Sequence, residues 1–149
     1  MYPCKRILVP TDGSRLSLRA AKRAAALAKA VKGSITAVYV MPQWRIPAVV
    51  DVAGVPPEIF DEQIYLEATQ ATAKRALDKV GAIARRASVP CETLAVRDDH
   101  PWKAIVKAAK QCDLVAMGSH GRSGVEAMIL GSETHKVLTH CATPVLVCH

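Results

Sequence analysis

Short apolar, β-favouring runs alternate with longer stretches in which apolar positions recur every three or four residues, and this alternation sets the expected order of elements. Lys5 to Pro10 forms the first apolar run, and Thr11-Asp12-Gly13-Ser14 after it has the composition of a turn ending in a helix cap. From Arg15 to Val31, residues Ala20, Ala24, Leu27, Ala28 and Val31 fall at helical spacing, and Lys32-Gly33 supplies a basic last turn and a stop. Ser34 to Met41 is again β-rich and is closed by Pro42, whereas Gln43 to Pro57 carries three Pro and one Gly with no period and is expected to be a loop. Glu58 to Ala87 predicts a long helix with Leu66, Ala73, Leu77, Val80 and Ala84 on one stripe. Cys91 to Val96 is a third strand. His100-Pro101 then opens a helix whose inner face is Trp102, Ile105, Val106 and Ala109. Asp113 to Met117 and Thr143 to Cys148 complete the strands, with a helix starting at Ser132 and running through Val137 and Leu138 between them.

Strands that are apolar almost throughout and separated by helices belong in a parallel sheet covered on both faces. The expected fold is a single-domain, Rossmann-like, doubly wound α/β structure over residues 1–149, with five parallel strands and helices on both faces. In such sheets ligands sit beyond the carboxyl ends of the strands, where the winding direction reverses. The loops to inspect are therefore Pro10 to Ser14, Val40 to Pro42, Arg97 to His100 and Gly118 to Gly124.

Composition narrows the classes. Half of the 149 residues are hydrophobic and 22% are charged, which suits a packed core and argues against disorder. No apolar run approaches the roughly 18 residues of a membrane span, and the start of the chain lacks the apolar stretch of a signal peptide. A cytoplasmic location without membrane contact is the expectation. Cys4, Cys91, Cys112, Cys141 and Cys148 are odd in number and lack C-x-x-C spacing, so they are expected to be small buried hydrophobes and not a disulfide or zinc framework. Twenty Lys and Arg against thirteen Asp and Glu give +7, a field that concentrates polyanions such as nucleic acid, anionic lipid or nucleotide phosphates. Most of these cations fall on helices as a solvated face, and the six aromatics form no base-stacking motif, so nucleic acid is not an expected partner.

Candidate chemistry concentrates in Met117-Gly118-Ser119-His120-Gly121-Arg122-Ser123-Gly124 and in Gly131-Ser132-Glu133-Thr134. Glycines let the backbone approach an anion with N–H groups turned towards it, and a helix beginning at Ser132 adds positive dipole and free donors. The Ser132 and Thr134 hydroxyls extend that donor set. Ordinary loop glycines followed by a helix cap remain an equally simple reading of the same residues. Neither G-x-x-x-x-G-K-[ST] nor G-x-G-x-x-G occurs, and the nucleophile elbow fails because its last Gly falls on Val125. His100, His120, His135, His140 and His149 never form H-E-x-x-H, so neither a protein-built metal site nor a catalytic residue is assigned.

Gly118-x2-Gly121-x9-Gly131-Ser132, with Ile7 to Ser14 and Thr143 to Val147, closely resembles the ATP-binding branch of the universal stress protein family along the whole chain. The resemblance implies an adenine-nucleotide site holding ATP, ADP or AMP. Pro10, Thr11 and Asp12 would lie near the nucleoside, Val40 would offer backbone to the adenine, and Met117 and Gly118 would line base and ribose. Gly121, Gly131, Ser132 and Thr134 would hold the phosphates, with Mg²⁺ bound mainly through phosphate oxygens. His120 and Arg122 belong to the same glycine loop and to the candidate binding set. The resemblance also implies a homodimer paired through strand 143–148, which would cover an apolar edge.

Two departures stand out. Arg97-Asp98-Asp99-His100 replaces a loop that usually carries Gly, and its acidic pair is expected to repel phosphate from above the pocket. Glu133 stands where relatives commonly have a small or apolar residue, so it opposes the phosphates, helps hold Mg²⁺, or simply complements the helix dipole. The expected function is that of a nucleotide-dependent stress regulator with no identified protein partner. The alternatives are a slow Mg²⁺-dependent ATPase or autokinase, and an interaction module that works without nucleotide.

Overall fold

The computed structural model describes residues 4–45, 61–121 and 130–149. In chain order the elements are β1 (Arg6–Pro10), α1 (Arg15–Ala30), β2 (Ser34–Met41), α2 (Glu62–Arg86), β3 (Cys91–Arg97), α3 (Pro101–Ala109), β4 (Leu114–Gly118), α4 (Ser132–His140) and β5 (Val145–Cys148). All strand pairs are parallel, in the order β3-β2-β1-β4-β5. This is the doubly wound α/β architecture expected from the alternation of strand and helix patterns.

Two apolar layers sandwich the sheet. On one face α1 and α2 bury Ala21, Ala24, Ala28, Leu77, Val80 and Ala84 against Ile7, Val9, Ile35 and Ala37. On the other, α3 and α4 bring Ile105, Ala109 and Val137 against Leu8, Val38, Val115 and Met117. Successive side chains of β1 thus enter opposite layers, as the period of two along a strand requires. The alanines of α1 leave room for close approach to the sheet, and each Leu or Ile fully buried in these layers contributes about 2 kcal/mol.

Helix ends follow local chemistry. Ser14 caps α1 by accepting from the Ser17 N–H at 3.2 Å, and Gly13 before it takes φ 79°, a left-handed conformation that suits glycine. The expected helix from Glu58 starts instead at Glu62, with Asp61 as its N-cap, the carboxylate accepting from the Gln63 and Ile64 N–H groups. Glu58 to Phe60, and the expected loop from Ile46 onward, lie outside the described residues. The last strand begins at Val145 and not at Thr143, since the Thr143 hydroxyl turns to the Ala109 carbonyl (2.9 Å) and Pro144 has no N–H for the ladder.

The cysteine expectation requires correction. Only Cys148 is buried; Cys4, before β1, is half-buried, and so are Cys91 at the start of β3, Cys112 just after α3 and Cys141 at the end of α4. Even so, desolvation pushes the thiols of Cys91, Cys112 and Cys148 up, which keeps them protonated and poorly nucleophilic at neutral pH. No helix among the described residues is long and apolar enough to cross a membrane.

Candidate functional site

Strands β1 and β4 are neighbours, but the chain leaves them in opposite directions, β1 towards β2 and β4 towards β5. Their loops diverge, and a cleft of about 420 Å³ opens between them at the carboxyl end of the sheet. It is lined by Pro10, Thr11, Asp12 and Ser17 around β1, by Val38, Tyr39 and Val40 of β2, and by Pro101 and Ile105 of α3. Met117, Gly118, His120 and Gly121 close it from β4, and Gly131, Ser132, Glu133 and Thr134 from the start of α4. Twelve of the thirteen residues singled out in the sequence therefore meet in one cleft, and Arg122 lies outside the described residues.

Ser17, Val38, Tyr39, Pro101 and Ile105 were not anticipated. Ser17 carried a local signal, because it lies three residues past the cap Ser14 and takes part in the same turn. The α3 pair had none, since only the packing of α3 over β1 and β2 brings it to the cleft.

The β1 side is a hydrogen-bonded turn. Thr11 donates its N–H to the Val38 carbonyl at 2.9 Å, its hydroxyl meets the Ser17 hydroxyl at 3.0 Å, and the Gly13 N–H reaches that same Thr11 oxygen. Asp12 accepts the Ser14 N–H on Oδ1 at 2.9 Å, which leaves its Oδ2 towards the glycine loop. There Gly121 comes so close that a Cβ on it would lie 2.6 Å from Asp12 Oδ2. Because Val38 turns its carbonyl towards β1, Val40, two residues on, turns its own backbone groups the same way, beyond the point where β1 has ended. That edge faces the cleft, beside an apolar lining of Pro10, Val38, Ile105 and Met117.

Opposite lies the anion-receptive part. Gly131 is the N-cap of α4, held by its N–H to the Ser119 carbonyl, and as a glycine it makes no side-chain capping bond. The N–H groups of Ser132, Glu133 and Thr134 have no acceptor within the helix, and the dipole adds positive potential there. Ser119 is buried, bonds its N–H to the Cys148 carbonyl at 2.8 Å, and places its hydroxyl 3.1 Å from His120 Nδ1.

Three expectations about charge and donors change. The Thr134 hydroxyl is not a phosphate donor: Thr134 is 3% exposed and its Oγ1 donates to the Gly118 carbonyl at 2.9 Å, so only its backbone N–H remains for a ligand. Asp98 and Asp99 do not overhang the cleft. Asp98 accepts the His100 N–H, while Asp99 pairs with Arg45 and accepts the Gln43 N–H, and the Arg45 guanidinium holds the Asp99 carboxyl below the usual carboxylate range. Glu133 is tied across to α3, accepting the Trp102 N–H at 2.8 Å and pairing with Lys136 at 3.1 Å. It thereby caps a neighbouring helix whose own N-cap, His100, makes no side-chain bond. Glu133→Ala is expected to lower stability by about 1 kcal/mol through loss of that cap. The thermal midpoint measures it, and an unchanged midpoint would show that the bond does not hold α3.

A profile of the universal stress protein family matches residues 3–149. A universal stress protein of Methanocaldococcus jannaschii is 36% identical over 148 residues, covering 96% of this chain and 81% of that protein. The solved structure of UspA from Lactobacillus plantarum aligns with a TM-score of 0.78 at 26% identity, over 98% of both chains. A universal stress protein in complex with cAMP aligns with a TM-score of 0.69 at 26% identity, over 97% of both.

Proposed function

The chain belongs to the universal stress protein family, and from that premise we propose that the cleft between β1 and β4 is an adenine-nucleotide site through which the protein acts as a stress-response regulator. The observation that carries this reading is the meeting, in one cleft, of an apolar wall with the backbone edge of Val40 and the N-terminus of α4. The first suits a flat heterocycle with hydrogen-bonding edges; the second suits phosphate. The solved relative that binds cAMP supports the ligand class.

In this reading Val40 backbone and Met117 take the base, Asp12 with Pro10 and Thr11 the nucleoside, and Gly118 the ribose. The backbone at Gly121 and the N–H groups of Ser132, Glu133 and Thr134 take the phosphates, with the Ser132 hydroxyl, His120 and Arg122 beside them. Mg²⁺ would accompany ATP mainly through the phosphate oxygens, as the family resemblance implies. A regulator fits better than a slow ATPase or autokinase, because Asp12 and His120, the cleft's candidate bases, are both engaged in local hydrogen bonds. At the sheet edge, β5 leaves Leu146 39% exposed, which a homodimer formed through residues 143–148 would cover.

The test is the nucleotide content of protein purified without added ligand, read by anion-exchange chromatography after denaturation and followed by ATP titration with and without Mg²⁺. Adenine nucleotide is expected to elute, or to bind with at least micromolar affinity, about 8 kcal/mol. No binding under either condition would overturn the reading in favour of a nucleotide-independent interaction module. Hydrolysis at rates typical of enzymes, abolished by Asp12→Ala without loss of binding, would favour the ATPase.

A further inference from the structure

Helix α1 departs from the usual mixture of surface charges. Its exposed residues are Arg15, Arg19, Lys22, Arg23, Ala26, Lys29 and Ala30, and the helix contains no acid. At 100° per residue these seven fall within an arc of about 120°, a narrow stripe that runs about 21 Å from Arg15 to Lys29. Among the described residues none of the five cations pairs with a carboxylate. Local electrostatics opposes the arrangement: Arg15 stands in the first turn, where the dipole repels a cation, and Arg15–Arg19 and Arg19–Arg23 are like charges at i,i+4. An isolated solvated face gains nothing from such a pattern, whereas a bound polyanion would offset these repulsions with attractions of its own.

We propose that the outer face of α1 is a docking surface for an acidic helical segment of a partner protein. Carboxylates four residues apart on a helix advance by about 6 Å, the same step as Arg15, Arg19 and Arg23, so each guanidinium can meet one carboxylate in a two-pronged contact. Ala26 and Ala30, small and exposed within the stripe, let a second helix come close beside Lys22 and Lys29. A membrane surface fits less well, because the stripe carries no apolar side chain large enough to insert into lipid, and a single-stranded nucleic acid fits less well for want of an aromatic to stack on. The surface lies on the helix following the cleft turn and does not depend on what the cleft binds.

The experiment is fluorescence anisotropy of the full chain with a labelled helical peptide of Glu-Ala-Ala-Ala repeats, set against a duplex DNA oligonucleotide and phosphatidylserine vesicles. The peptide is expected to bind. Arg19→Glu combined with Lys22→Glu is expected to weaken it about tenfold or more, and about 1 M salt, with a screening length near 3 Å, to abolish it. Lys107→Glu on the opposite face of the sheet should leave binding unchanged. Should the charge-reversed protein fail to fold, Arg19→Gln with Lys22→Gln removes the same attraction while relieving the repulsion along α1, and its thermal midpoint should be no lower than that of the parent. Equal peptide binding by the variants, or tighter binding of the duplex or the vesicles than of the peptide, would overturn the proposal.

Discussion

Gly121→Ala is expected to weaken adenine-nucleotide binding about tenfold or more, the equivalent of about 1.4 kcal/mol, while leaving the folded state nearly as stable as before. The new methyl would stand 2.6 Å from Asp12 Oδ2, a separation that non-bonded atoms do not tolerate. The glycine loop is anchored at Ser119 by two backbone hydrogen bonds, so the Asp12 side chain gives way. Its displacement pulls Oδ1 from the Ser14 N–H and loosens the turn that presents Pro10 to Asp12 to the cleft. Because the moving part is the end of a short side chain, the energetic cost falls on the site and little of it on the core. A titration with ATP and Mg²⁺ reads the first effect and a thermal midpoint the second. Asp12→Ala should weaken binding by a similar factor, and the double variant by hardly more than either single one, since both act on one group. Full additivity would mean that the two substitutions act on separate groups, and unchanged affinity in Gly121→Ala would place the ligand away from this contact.

A second substitution should act on the fold and not on the site. Gly33→Ala is expected to destabilise the protein by about 3 kcal/mol, which lowers the thermal midpoint by about 6–12 °C for a chain of this size. A Cβ at Gly33 would lie 2.3 Å from the Lys5 carbonyl oxygen. That oxygen cannot retreat, because it accepts the Ser34 N–H at 2.6 Å where β2 begins beside β1, and Gly33 itself donates to the Ala28 carbonyl at 2.7 Å. The clash is thus with backbone on both sides. Moving β1 would also disturb Ile7, Leu8 and Val9, which are fully buried. Circular dichroism against temperature measures the loss, and a shift of a degree or two would mean that the α1–β2 turn can relax as a unit. Measured with ligand absent, this effect is separable from that of Gly121.

What the sequence determined by itself was the succession of elements and the stretches of chain that form the cleft. Both rest on interactions of short range. The period of apolar positions reports which side of a helix or strand is buried, and Ser14 and Pro101 mark helix starts through bonds or restraints within three residues, whereas the Asp61 cap lies inside a stretch whose pattern places the start at Glu58. Once the sheet is parallel, strand-end loops must gather at one end, so Thr11-Asp12 and Gly118 to Gly121 share an edge whatever the detail. The family resemblance added the roles of these residues to a placement that pattern alone supplied.

Only the tertiary structure decided where individual polar groups go. Glu133 meets the Trp102 N–H across 31 positions of chain, Asp99 meets Gln43 across 56, and the Thr134 hydroxyl finds the Gly118 carbonyl across 16. A local reading leaves each of these groups facing the ligand, because it holds no knowledge of the neighbour that packing supplies. The strand order β3-β2-β1-β4-β5 is likewise a global outcome, and it alone puts β1 beside β4 and carries Pro101 and Ile105 to the cleft. Apolar periodicity is a property of one segment, so it can be read in sequence. The partner of a hydrogen bond is a property of two segments, and it exists only once burial has forced each polar group to find one.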